Sequence, residues 1–208
     1  MRRLLPVLLL VGCQQASPPP LPPAAVGTIV AFGDSLTEGL GLDPDKAYPA
    51  QLERRLHQDG LAWKVVNAGI SGETSSGART RLDWVLTQLK PQVLILETGA
   101  NDGLRGIDPA LTEKNLDSML QTLKTRKVRV LLTGMRVLKN SGKEYAEKFS
   151  LMYPHLAKKH SVELMPFFLE GVAGKRELNQ PDQLHPTEKG YTVIVDRLAP
   201  QLEAMLRK

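Results

Sequence analysis

The amino-acid sequence predicts an α/β domain built on a five-stranded parallel sheet, and three observations carry that expectation. Short runs rich in Val, Ile and Leu alternate with longer segments whose apolar residues recur at helical spacing. Gly and Pro punctuate the boundaries of these runs, as they do at strand ends. The alternation persists to the last helix, which calls for right-handed crossovers and helices on both faces of one sheet.

The first run lies in Val26 to Thr37 (VGTIVAFGDSLT) and reads as a buried strand that stops abruptly at Gly33-Asp34-Ser35. Such a strand delivers its last residues to the carboxyl edge of the sheet, where open α/β sheets bind ligands. Leu36 to Lys46 is expected to be a loop, and Tyr48 to Gln58 a helix with Pro49 in its first turn and Leu52, Leu56 and the following Leu61 inward. Trp63 to Asn67 is the second strand and Ala68 to Gly77 a glycine-rich loop. Arg79 to Lys90 carries Leu82, Val85, Leu86 and Leu89 at helical spacing and is stopped by Pro91.

Val93 to Leu96 is the third strand, followed by a polar loop from Glu97 to Pro109. The next helix presents Leu116, Met119, Leu120 and Leu123, and Val128 to Thr133 is the fourth strand. Lys143 to Lys159 is a helix with Tyr145, Phe149, Met152 and Leu156 inward and a kink expected at Pro154. Val162 to Phe167 is the fifth strand, and its Pro166 argues for a sheet edge. A long loop from Leu169 to Leu184 then leads to His185-Pro186 and a last helix carrying Tyr191, Ile194, Val195, Leu198 and Leu202, which Pro200 should bend or end.

Three segments organise the chain: residues 1–12, residues 13–25, and one domain over 26–208. Met1-Arg2-Arg3 and the apolar stretch Leu4 to Leu10 form an export signal, far shorter than the about 20 residues of a membrane-spanning helix. Leu10-Val11-Gly12-Cys13 resembles the bacterial lipobox, which implies lipidation of Cys13; the alternative is a plain signal beside an unmodified thiol. Gln14 rather than Asp follows that Cys, which in lipobox proteins accompanies sorting to the outer membrane, so the expected location is the periplasmic face of that membrane in a bacterial envelope. Cys13 is the only cysteine, so no intramolecular disulfide supports the fold. Gln14 to Ala25 (QQASPPPLPPAA) holds five prolines and no charge, the composition of a semi-rigid extended spacer.

The formal net charge of +5 falls to +3 once Arg2 and Arg3 leave with the signal. Basic residues gather at Lys124 to Arg129 without interleaved aromatics, at a predicted helix end where cations are favoured by the helix dipole. Nucleic-acid binding is not expected, and the protein is expected to be a monomer.

The polar and glycine clusters follow the first three strands and precede the last helix, four places that a parallel sheet brings to one edge. Acyl transfer requires a nucleophile, a base in reach, a carboxylate to orient the base, and donors for an oxyanion. Ser35 offers the hydroxyl, His185 the imidazole, and Asp182, three residues earlier, the carboxylate. The Ser35 N–H, an unobstructed N–H at Gly72 and the side-chain amide of Asn101 are the candidate oxyanion donors. Singly, each has a plainer reading: a helix cap at Asp182, a tight turn at Gly72, a left-handed position at Asn101. Asp34 and Asp102 read as loop braces, and His57, His155 and His160 as solvated residues on polar helix faces. Leu36, Met135, Val137, Phe149 and Leu184 lie near the same edge and either line an acyl groove or belong to the core. The histidines are too scattered to suggest a metal site.

Together the motifs resemble the GDSL or SGNH hydrolases: Ser35 in GDSL, Gly72 in ISGET, Asn101 in GAND, and His185 in DQLHP with Asp182 completing the triad. NAGISGETS, ETGANDGLRG and MPFFLE are similar to the periplasmic thioesterase, arylesterase and lysophospholipase branch of that family. The resemblance implies the SGNH hydrolase fold, a flavodoxin-like α/β/α sandwich with strand order 2-1-3-4-5. It also implies no cofactor, and hydrolysis of aryl esters, acyl thioesters and lysophospholipids through an acyl-enzyme on Ser35. In that branch the loop corresponding to Gly103 to Asp108 moves on substrate binding. A carbohydrate O-deacetylase of the same superfamily and a non-catalytic module that kept the fold are the competing readings.

Overall fold

The computed structural model describes residues 25–137 and 142–207. The export signal, Cys13 and all of the proline-rich segment but Ala25 lie outside the described residues. The five strands are β1 (Gly27–Gly33), β2 (Trp63–Gly69), β3 (Val93–Glu97), β4 (Arg129–Thr133) and β5 (Glu163–Met165). They form one sheet of order 2-1-3-4-5, every pair parallel. β1 lies between β2 and β3, in register with β2 from Gly27 opposite Trp63 to Gly33 opposite Gly69 and with β3 from Ile29 opposite Val93.

Burial on both faces explains the apolar strand sequences. Ile29, Val30, Ala31 and Phe32 are inaccessible to solvent, as are Val93 to Leu96. Helix α2 (Tyr48–Gln58) packs on α7 (Glu188–Leu206), and α3 (Ser75–Leu89), α5 (Pro109–Thr125) and α6 (Lys143–His160) pack in series. Right-handed crossovers place these two groups on opposite faces. The face under α2 and α7 is stitched by aromatics, with the Tyr48 and Phe168 rings edge to face at 5.2 Å.

Differences from the sequence expectations cluster where distant residues cap or stop an element. The stretch after β1 begins with a single helical turn, α1 (Ser35–Glu38), because the Asp34 carboxylate accepts from the Leu36 N–H and caps it. Helix α3 starts at Ser75, four residues before the expected Arg79. Its first N–H is taken by the Asp102 carboxylate at 2.8 Å, a cap supplied from 27 residues away. A second short helix, α4 (Ala100–Leu104), occupies part of the expected loop after β3. β5 is three residues long and pairs only with β4, so the edge position is as expected but the strand stops before Pro166.

Helix α7 continues through Pro200 to Leu206 instead of ending there. Pro200 and the residue four before it, Asp196, are both exposed, on the solvent side of the helix where a carbonyl left without its donor is least costly. His160 also differs from expectation: it is only 8% exposed, and its Nε2 lies 2.7 Å from Asp117 on α5. What looks like a polar face in the last turn of α6 is the seam between the two helices. Tyr145 is half-buried, its hydroxyl donating to the Ile107 carbonyl.

Candidate active site

The order of the sheet makes a switch point at β1, whose chain leaves toward β2 on one side while β3 flanks the other. Ser35, the first residue of α1, sits directly above that point. The turn carrying it is held from below. Asp34 N–H and the Thr37 hydroxyl donate to the Glu97 carboxyl at 3.2 and 2.8 Å, and Tyr191 donates to the Leu36 carbonyl at 2.9 Å. Gly33 is required here by space alone, since a Cβ would collide with the Thr37 hydroxyl and with the carboxyl and carbonyl of Glu97.

His185 arrives from the opposite end of the sequence. Its Nε2 lies 2.9 Å from Ser35 Oγ across 150 residues of chain. Its Nδ1 lies 2.6 Å from Asp182 Oδ2, while Asp182 Oδ1 accepts from the N–H groups of Leu184 and His185. The Asp-x-x-His segment turns back on itself through Gln183, which takes the left-handed conformation (φ 59°). Gln180 locks this turn to the nucleophile turn: its N–H donates to the His185 carbonyl, and its side-chain amide donates to the Leu40 carbonyl just beyond α1. Nothing in the sequence signals that tie.

The Asp182 carboxyl feels some desolvation, which raises its pKa. The hydrogen bond with His185 and the two backbone donors outweigh it and hold the group at about 2. It is therefore an ionised acceptor throughout the neutral range, suited to fix the imidazole with its proton on Nδ1 and Nε2 free to accept from the serine.

The three candidate oxyanion donors line one cavity with Ser35 and His185. Gly72 has φ +77°, and a Cβ there would meet nothing nearer than Arg105 at 3.7 Å, so glycine is required for its backbone conformation and not for room. Its carbonyl accepts from Arg105 at 2.8 Å, and among the described residues the N–H groups of Ser35 and Gly72 donate to no protein acceptor. One hydrogen of the Asn101 amide goes to Asp34 Oδ2 at 3.1 Å, which leaves the other for a ligand. Three unpaired donors converging beside a serine hydroxyl are what a developing oxyanion needs. Asn101→Ala is expected to lower kcat by about 10²–10³-fold with little change in KM, measured by steady-state ester hydrolysis.

The cavity measures about 1060 Å³ and runs away from Ser35 under α4 and α6. Leu36, Met135, Val137, Phe149 and Leu184 all border it, and all but Val137 and Leu184 are also well buried, so the core and groove readings describe the same residues. Leu40, Leu104, Phe167 and Leu169, which sequence reasoning did not single out, and Tyr145, expected only as an inward residue of its helix, complete its apolar wall. Most of these come from irregular segments, where no periodicity marks which side chains face inward. The described residues hold no group of three or more His, Cys, Asp and Glu side chains arranged to bind a metal ion, and no helix long and apolar enough to cross a membrane.

A model of the GDSL-like Lipase/Acylhydrolase family matches residues 31–193. The chain is 40% identical over 183 residues to "Esterase TesA" of Pseudomonas aeruginosa, covering 88% of this chain and 91% of that relative. It is 39% identical over 183 residues to "Thioesterase 1/protease 1/lysophospholipase L1" of Escherichia coli K12, covering 88% of this chain and 86% of that one. Among solved structures, the esterase EstA of Pseudoalteromonas sp., inhibited by monoethylphosphonate, superposes with a TM-score of 0.83 at 31% identity, over 88% of this chain and all of the other.

Proposed function

Since the chain belongs to the GDSL-like lipase/acylhydrolase family, we propose that it is a serine esterase and thioesterase working through an acyl-enzyme on Ser35. The observation that carries this reading is the 2.9 Å approach of His185 Nε2 to Ser35 Oγ at the mouth of a large apolar cavity. Ser35 Oγ attacks the acyl carbon while its proton passes to His185 Nε2. The oxyanion accepts from the N–H groups of Ser35 and Gly72 and from Asn101 Nδ2. As the tetrahedral species collapses, the imidazolium protonates the departing alcohol or thiol. Water, deprotonated by the same imidazole, then attacks the acyl-enzyme and releases the carboxylic acid.

A cavity of about 1060 Å³ exceeds the space an acetyl group needs and favours longer acyl chains over sugar deacetylation. The substrates proposed are aryl esters, acyl thioesters and lysophospholipids, and the two relatives named esterase and thioesterase are consistent with that range. Export, lipidation at Cys13 and a monomeric state complete the reading, resting on the first 25 residues for the first two.

The test is hydrolysis of p-nitrophenyl esters from acetyl to dodecanoyl by residues 28–208. The expected result is a Ser35-dependent maximum at medium or long chains. A maximum at acetyl would turn the reading to sugar deacetylation, and no Ser35-dependent turnover on any ester would turn it to a binding module.

A further inference from the structure

Beneath the nucleophile turn lie two carboxyl groups that the mechanism above leaves unused. Asp34 is 1% exposed and Glu97 is fully buried. Among the described residues neither has a cation within salt-bridge distance. The Arg81 guanidinium, which donates to the neighbouring Gly33 carbonyl, is tied through its Nε and Nη2 to Glu73. Two unpaired carboxylates side by side in the interior are not tenable, so one must hold a proton.

The hydrogen bonds differ between the two. Both Asp34 oxygens accept from N–H groups, Oδ1 from Leu36 and Oδ2 from the Asn101 amide. Glu97 presents one oxygen to Asp34 N–H and the Thr37 hydroxyl, while its other oxygen has no partner. The first is the pattern of an ion and the second is costly for one.

We propose that Asp34 and Glu97 carry a single negative charge between them, resident on Asp34, and that this charge aims the Asn101 amide at the oxyanion. The proposal rests on Asn101 being an oxyanion donor, as read above. Both groups are then positioning residues: Asp34 acts through Asn101, and the neutral acid of Glu97 lets Asp34 ionise without a second charge beside it.

Electrostatics fits. Burial and then the Asp34 charge raise Glu97 well above the ordinary carboxyl range. Burial also raises Asp34, to about 6, against the lowering effect of the Leu36 N–H, the Asn101 amide and His185, with Asp102 adding to the rise. The other titratable groups facing the pair are the hydroxyls of Tyr48 on α2, Tyr153 on α6 and Tyr191 on α7, all driven upward by burial and neutral in the working range. Lowering the pH should therefore switch off the oxyanion hole by protonating Asp34, separately from the protonation of His185.

Asparagine at position 34 tests this, because its single acceptor oxygen cannot serve both Leu36 N–H and Asn101. For Asp34→Asn, kcat on a p-nitrophenyl ester is expected to fall about 10²-fold with KM little changed. The acid side of its kcat/KM profile should titrate with one proton, where the wild type takes up two. Glu97→Gln, an amide in place of a neutral acid, should stay within threefold of wild type at pH 8. Carbon and nitrogen NMR reads the same pair without turnover. Glu97 Cδ should report an un-ionised carboxyl at pH 8, and the Asn101 side-chain amide should shift through an acid-range titration in the wild type.

A one-proton acid limb in the wild type overturns the proposal. So does a Glu97→Gln loss as large as that of Asp34→Asn, an ionised Glu97 at pH 8, or an Asn101 amide that ignores the titration. Should Asp34→Asn not fold, the wild-type and Glu97→Gln measurements decide alone. Absence of Ser35-dependent turnover would count against the esterase reading and leave the NMR result standing.

Discussion

Replacing Ser35 by Ala should reduce kcat on p-nitrophenyl esters by on the order of 10⁶-fold, the scale lost when the nucleophile of a serine triad is removed. The loss should come without unfolding. Ser35 contributes one side-chain hydrogen bond, to His185, and the α1 turn keeps its Asp34 cap, its Tyr191 tie and the support of Thr37 on Glu97. Thermal unfolding of the variant should match wild type to within a few degrees, since ~1 kcal/mol moves the midpoint of a domain this size by about 2–4 °C. Retention of wild-type turnover would remove Ser35 from the mechanism, and a collapsed midpoint would make the turn itself the cause.

Asp182→Asn is the second large effect, about 10⁴-fold in kcat by analogy with the aspartate of the serine-protease triad. Asp182 accepts three N–H groups, from Leu184, His185 and the His185 ring. An asparagine amide accepts with one oxygen only, so its NH₂ must face either the ring, forcing the unproductive tautomer, or two backbone donors. The carboxylate holds at about 2 against an ordinary value of 3.8. What it contributes to the fold is thus present above about 4 and lost as the pH falls through about 2. The variant should lose that acid-limb contribution to stability, while its kcat deficit stays flat from pH 6 to 9. A deficit that vanished at alkaline pH would contradict the tautomer account.

Ser35 and Asp182 are both visible in the sequence, because of their chemistry. Ser35, Gly72, Asn101 and His185 each stand at a strand end or helix start, where glycine and polar residues interrupt an apolar run and mark the turn without any structure. The strands of the sheet were legible for the same reason, since Ile29 to Phe32 and Val93 to Leu96 are unbroken apolar runs. What escaped was tertiary. Asp102 caps α3 from 27 residues away, Gln180 bridges to Leu40 over 140, and Asp117 draws His160 into a helix seam. Glu97 read as the first residue of the polar loop after the third strand, and nothing local distinguishes a buried acid from an exposed one. The cavity wall is the same case in apolar form, drawn from loops in which no period predicts direction.

The polarity of β1 has a bearing on where such an enzyme works. The strand enters at Gly27 on one rim of the sheet and delivers Ser35 beyond Gly33 on the other, about 23 Å away at the usual rise per residue. The chain that precedes Gly27 therefore joins the domain on the rim opposite the cavity mouth, and a tether attached ahead of that strand would leave the mouth clear for acyl substrates arriving from the far side.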